Sequence, residues 1–235
     1  MNTTTAINRN TYLFMLMIPI FAVVGFWQTW FTGSVRPLSV YDHVHGFAMF
    51  AWCFMLIAQP YLIRSGNREL HRMIGKASYA LMPIVALSTL LLAHYQLNSR
   101  GPGPEGWYIL SLQIFLLVQI VVFYSLAIKN RKRPDVHARF MILTALPLLD
   151  PIFARILIFH FLGWENVAMA QFITFPAVNL ILLALIAWDW KNGNRRDVFL
   201  PMWFFMTLTQ LPPFFVVESS LWHSFAAWFA SLPLT

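Results

Sequence analysis

Seven apolar stretches, separated by short polar breaks, run along the chain at residues 12–31, 43–63, 77–95, 107–128, 140–161, 167–187 and 198–217. At about 1.5 Å of rise per residue, each spans roughly 30 Å of hydrocarbon as a helix. The breaks consist of Gly, Pro, Asn and charge, as in Ser65-Gly66-Asn67-Arg68, Gly101-Pro102-Gly103-Pro104 and Lys129-Asn130-Arg131-Lys132-Arg133-Pro134. Such runs do not continue an apolar helix. The pattern predicts an all-α polytopic transmembrane bundle of seven helices, one domain over 1–235, with the N-terminus cytoplasmic and the C-terminus outside. Pro212-Pro213 predicts a kink or break near the outer end of helix 7. Residues 219–232 set Trp222, Phe225, Ala226 and Phe229 at helical spacing but are too short to cross, so they predict an interfacial helix on the outer surface.

Composition strengthens this picture. Hydrophobic residues make up 59% and charged residues 11%, against about a quarter charged in soluble domains. The net charge of +7 would suggest nucleic acid in a soluble protein. Here the distribution of cations explains it instead. Thirteen of the sixteen Lys and Arg fall on one side of the seven-helix scheme: Arg9, Arg64, Arg68, Arg72, Lys76, Lys129, Arg131, Lys132, Arg133, Arg139, Lys191, Arg195 and Arg196. Arg36 and Arg100 lie on the other side and Arg155 within a helix. Cationic loops stay in the cytoplasm, which fixes the expected orientation. Trp27, Trp30, Trp107, Trp164, Trp188 and Trp190 near helix ends match an interfacial aromatic belt. The single cysteine, Cys53, excludes an intrachain disulfide and reads as a small buried hydrophobe. The stretch 12–31 is too long for a signal peptide and lacks a small-x-small cleavage site, so it reads as a retained first helix.

The strongest candidate for chemistry is Asp150, within Pro147-Leu148-Leu149-Asp150-Pro151 near the middle of helix 5. A carboxyl group at that depth is costly and faces the bundle interior or a wet cavity. Arg155 lies about 7 Å further out on the same helix, roughly 140° around it, so a direct ion pair needs the proline kink or a water. Gln119 and Asn179 near mid-depth, with Gln28, Gln113, Gln171 and Gln210 further out, suggest a polar cavity in the outer half; the plainer reading makes each an interhelical hydrogen-bond partner.

Histidines offer a second constellation. His43, His45, His94, His160 and His223 fall near the outer boundary, His71 and His137 near the cytoplasmic one. Imidazole suits haem and transition metals, although any boundary histidine also serves as an amphipathic anchor. His43 and His45 stand about 200° apart on a helix, so only one points inward. Two ligands stacked on one helix across a two-haem site would stand about 13 or 14 residues apart, whereas His137 and His160 are separated by 23 positions. One haem held by two helices, or a mononuclear metal, passes this test. Nucleotide-binding and soluble zinc-enzyme motifs do not occur.

Gln59-Pro60, Arg64, Leu70-His71-Arg72, Gly75 and Tyr79, followed by His137-x-Arg139-x-Met141 and Arg155, form a pattern that resembles an uncharacterised bacterial family of multi-spanning membrane proteins, a domain of unknown function. That family carries His-Arg-x-x-Gly-x-x-Tyr and His-x-Arg-x-Met motifs and is faintly similar to transmembrane b-type cytochromes. The resemblance implies a multi-pass protein of the bacterial inner membrane. Three functional readings follow. The first is redox chemistry with haem b or a quinone, using His71 and His137 inside or His45, His94 and His160 outside, and a quinone or another membrane redox protein as partner. The second is a transporter, assembly factor or interaction protein in which Asp150 and Arg155 shape a polar path. The third is a zinc-dependent membrane hydrolase, suggested by Ser39-x-x-x-His43 together with Asp150.

Overall fold

The computed structural model describes residues 4–101, 103–193 and 197–235, with side chains for all of these except 4–9 and Trp164. Arg195 and Arg196, counted above among the basic residues, lie outside the described residues, as do the side chains of Arg9 and Trp164.

The chain folds as an all-α bundle. Helix α1 (Thr4–Phe26) passes into a π-helical turn, Trp27–Phe31. Helix α2 (Val40–Arg64) begins three residues before the apolar stretch because Ser39 and Asp42 form a capping box, each side chain bonded to the other's backbone N–H. Helix α3 (Arg68–Arg100) has 33 residues, about 50 Å, and overruns its apolar stretch at both ends. Asn67 caps its start, accepting from the Leu70 N–H at 3.0 Å, and nothing stops it before Gly101, whose φ of 77° suits glycine. Helix α4 is Pro104–Lys129 and α7 is Val167–Lys191.

The fifth crossing, expected as one helix over 140–161, is a single span, Pro134–Leu162, whose helical bonding is interrupted. It runs as α5 (Pro134–Leu143), a turn at Thr144-Ala145, α6 (Leu146–Leu157) and a second π-helical turn, Ile158–Leu162. Pro147 has no N–H to return to the carbonyl of Leu143, and Pro151 likewise leaves that of Pro147. The last crossing breaks where the proline pair predicts it. Helix α8 (Phe199–Gln210) gives way to the short α9 (Pro212–Phe215), and α10 (Ser220–Ala230) turns off at 90°. Among the described residues six helices are long and apolar enough to cross a membrane, and seven if this bent pair counts as one span. Helix α10 is capped by Ser219 and packs on the adjoining ends of α3 and α4.

Two compartments share a wall. Helices α1, α2, α3, α4 and α6 pack successively into a five-sided ring, since α6 returns to α1. On the other side of the α4 and α5–α6 wall, α7 and α8 close a four-sided ring. The larger ring is filled by Met15, Ile18, Trp52, Leu56, Met82 and Ile152 among others. The smaller is filled toward its basic end by Phe123, Leu143, Leu182, Val198, Phe199 and Met206. Large apolar side chains such as Phe14, Phe47, Phe54, Leu180 and Leu208 are more than half exposed on the bundle's outside. A soluble protein does not present so continuous an apolar exterior, and here it faces lipid.

Arg139 corrects the sequence reading, which placed it among the loop cations. It is buried in α5, and its Nε and one Nη donate to the two carboxylate oxygens of Asp189 on α7 at 2.7 and 2.8 Å. This bidentate pair closes the basic end of the smaller ring. Removing one partner strands the other's charge, which costs about 3–5 kcal/mol at buried pairs, whereas an apolar replacement of both is close to neutral. Arg139→Leu is therefore expected to destabilise the detergent-solubilised protein strongly in a thermal-unfolding assay. The double variant Arg139→Leu/Asp189→Leu is expected to recover most of the loss; a double variant as unstable as the single contradicts the pairing.

Candidate functional site

The polar residues that the sequence singles out are drawn mainly into the smaller ring, in the half away from its basic end. Asp150 on α6 is 1% exposed. Its carboxylate accepts from Thr174 Oγ1 on α7 at 2.6 Å. With the Gln171 amide nitrogen turned toward it, Gln171 donates to both carboxylate oxygens at 2.9 and 3.2 Å and to Thr174 at 3.1 Å. The broken helix explains why Asp150 sits there: it lies between Pro147 and Pro151, and the donors come from the next crossing rather than from its own.

Deeper in, Asn179 on α7 donates to Gln210 Oε1 on α8 at 2.5 Å and accepts from Thr207 Oγ1 at 3.1 Å. Gln119 on α4 donates to Thr209 Oγ1 at 2.9 Å, while its own Oε1 is buried without a partner. These bonds tie α4, α6, α7 and α8 together, and each is worth about 0.6 kcal/mol in a membrane bundle. They also form a polar column, capped toward the basic end by the apolar plug of Phe123, Leu143, Leu182 and Met206.

The column meets an open cavity. A hollow of about 420 Å³ lies at the end remote from the basic residues and is lined by Glu105, Tyr108, Glu165, Phe214, Val217 and Glu218 among others. Tyr108 connects the two: it lines the hollow, its hydroxyl is buried without a partner, and Asp150 is close enough to act on it electrostatically. Of the three carboxylates on the wall, Glu105 is paired with Arg100 at 3.2 Å, and Glu165 and Glu218 leave the hollow favourable to positive charge. Sequence reading missed Tyr108, Thr174, Thr207, Thr209 and the three glutamates. Hydroxyl residues carry no hydropathy signal inside an apolar helix, and the glutamates are scattered over three breaks.

The histidines separate. His45 is the inward member of its pair, with Nδ1 3.4 Å from both Ser88 Oγ and Thr89 Oγ1 on α3; His43 is exposed and packs on Trp30. His94 bonds Thr235 Oγ1 at 2.6 Å and meets Phe229 edge-on, so it anchors the C-terminal segment to α3. His160 is exposed in the π-helical turn beside Phe161, and His223 stacks on Trp107 with ring centroids 3.7 Å apart. The expected outer cluster of His45, His94 and His160 therefore does not form, because each ring is engaged with a different partner. Among the described residues no three His, Cys, Asp or Glu side chains converge as a metal site. The Ser39 hydroxyl, placed by sequence beside His43 in a hydrolase reading, instead donates to Asp42 at 2.7 Å as part of the α2 cap.

His71 and His137 come nearer to the expectation. His71 Nδ1 lies 3.4 Å from the carbonyl of Gln59 and His137 Nδ1 2.9 Å from that of Ala127. A carbonyl only accepts, so each Nδ1 carries a proton and directs Nε2 away from the backbone. The two rings are close enough to interact electrostatically.

In the larger ring Gln113 donates to Gln96 Oε1 at 3.3 Å. Arg155 makes no ion pair with Asp150; its Nη1 donates to the Pro151 carbonyl at 3.1 Å and its guanidinium lies over the Phe26 ring, 4.3 Å from the centroid. No family model, curated protein or solved structure matches this chain.

Proposed function

We propose that this is a multi-pass protein of the bacterial inner membrane, its basic end in the cytoplasm, that admits positive charge from the outer face to Asp150 as a transporter for a small cation or protons. The observation that carries the reading is the acidic hollow of about 420 Å³, whose lining includes Tyr108, a residue close enough to Asp150 to feel its charge. The volume falls within the range of small-molecule sites. An ionisable residue inside a bundle, reached from one face and closed from the other, is the arrangement that ion and proton pathways use. Thr174 and Gln171 hold the carboxylate in place. The plug and the Arg139–Asp189 pair block the cytoplasmic half, so passage requires that these contacts open.

The test is charge movement in proteoliposomes on a solid support, after concentration jumps of guanidinium or methylammonium and after pH jumps. Wild-type protein is expected to give a saturable transient with at least one of these, and Asp150→Asn to reduce it at least tenfold. No transient with any jump, or an undiminished one in the variant, contradicts the reading.

A second reading is favoured by the His71–His137 pair: haem b held near the cytoplasmic face. Porphyrin brings four nitrogen ligands of its own and needs only two from protein, which suits two imidazoles whose Nδ1–H groups are steered by backbone carbonyls; a non-haem metal lacks a third ligand here. Bound haem b would supply one-electron redox chemistry, with a quinone or another membrane redox protein as partner. The absorbance spectrum of purified protein tests it directly. A Soret band lost in both His71→Ala and His137→Ala is expected; a protein without one, after expression with added haem, contradicts it.

A further inference from the structure

The resemblance motif ends on Arg155, and neither reading above uses it. Arg155 stands on α6, on the side of the shared wall that faces the five-sided ring, three residues before the π-helical turn Ile158–Leu162. Its aromatic partner Phe26 immediately precedes the other π-helical turn, Trp27–Phe31. Helices α1 and α6 approach so closely there that a Cβ on Gly25 would lie 2.7 Å from the Ile152 carbonyl oxygen. Both π-helical turns thus flank one contact, and such turns recur at functional sites.

Charge is unbalanced around it. Asp150, Arg100, Arg36 and Asp42 are the charged groups close enough to act on Arg155, and Arg155 in turn acts on His45 of α2. Each carboxylate in the neighbourhood is already engaged. Asp42 takes two bonds from Arg36 and two from Ser39, Glu105 takes Arg100 at 3.2 Å, and Asp150 takes Thr174 and Gln171. Among the described residues no carboxylate stands within 4 Å of Arg155. Its Nε is buried with no partner, and only Nη1 has an acceptor, the Pro151 carbonyl. Yet the side chain, like those of His45, Thr89 and Gln113, stays partly accessible deep inside the bundle, as residues bordering an internal space do.

His45 adds a directional constraint. Ser88 and Thr89 both donate their hydroxyl protons to the Val85 carbonyl, so their oxygens accept from the His45 Nδ1–H. The ring's Nε2 therefore carries a lone pair and accepts rather than donates, which leaves the Arg155 guanidinium as the group that an anion can use.

We propose that Arg155 anchors a second binding site, in the five-sided ring, for an oxyanion: the carboxylate or phosphate of a ligand entering from the end remote from the basic loops. The guanidinium edge supplies the fork that such groups match, and the Phe26 ring fixes its plane. A free anion and a lipid headgroup present the same chemistry.

The experiment is a thermal-shift and calorimetric titration of delipidated full-length protein in neutral detergent. The probes are inorganic phosphate, acetate and short-chain phosphatidylglycerol, each against sodium chloride at equal ionic strength. Saturable stabilisation beyond that of chloride is expected. Response to phosphate or acetate assigns a free anion, and response to phosphatidylglycerol alone assigns a headgroup. Arg155→Gln is expected to weaken binding at least thirtyfold. Arg155→Lys keeps the charge but loses the fork, and is expected to weaken it at least tenfold; this second variant decides the matter where the first does not fold. Stabilisation no greater than that of chloride, or wild-type affinity in Arg155→Lys, overturns the site.

Discussion

Inside a bilayer there is no water to take up a hydrogen bond, so every polar group carried into it must find a partner within the protein or line a space that water enters. The architecture follows from this constraint. The bundle is apolar on the outside, where Phe14, Phe47 and Leu208 meet lipid, and its polar side chains are gathered into two enclosed rings that share the α4 and α5–α6 wall. Asp150 is the hardest group to accommodate. The proline-broken crossing places it beside the two donors of α7, and the column from Tyr108 to Asn179 extends around it.

The same constraint separates the roles of the charged residues. The pair formed by Arg139 and Asp189 is bidentate, buried and complete, so its role is closure. Arg36 and Asp42 likewise complete each other at the start of α2. Arg155 keeps a buried Nε without a partner, and on the wall of the hollow Glu105 is paired with Arg100 while Glu165 and Glu218 add further carboxylates. On the readings proposed above, the smaller ring takes cations and the larger an oxyanion.

Much of this was legible in the amino-acid order. Hydropathy gave the all-α bundle, and the prolines at 212 and 213 marked the break before α10. Asp150 stood out because a carboxyl group inside an apolar run is costly to bury, whether it serves a site or locks helices together. Helix ends were less legible: α3 gained polar turns at both ends because Asn67 and Gly101, not hydropathy, set its limits. Arg139 was misplaced for a related reason. Adjacent to a basic loop, it is indistinguishable from its neighbours until folding brings Asp189, fifty residues later, opposite it. The histidine cluster failed because depth along the membrane says nothing of azimuth. His94 and His160 share a depth with His45, yet face the C-terminal segment and the exterior.

The account rests on a polar compartment open at one face and sealed at the other. Single cysteines on a Cys53→Ala background, treated with a membrane-impermeant maleimide in right-side-out and inverted vesicles, test this directly. Ala168→Cys, exposed on the wall of the acidic hollow, is expected to react only in right-side-out vesicles. Leu182→Cys, within the plug, is expected to react in neither. Labelling of Ala168→Cys only in inverted vesicles, or of Leu182→Cys as fast as Ala168→Cys, contradicts the sealed compartment.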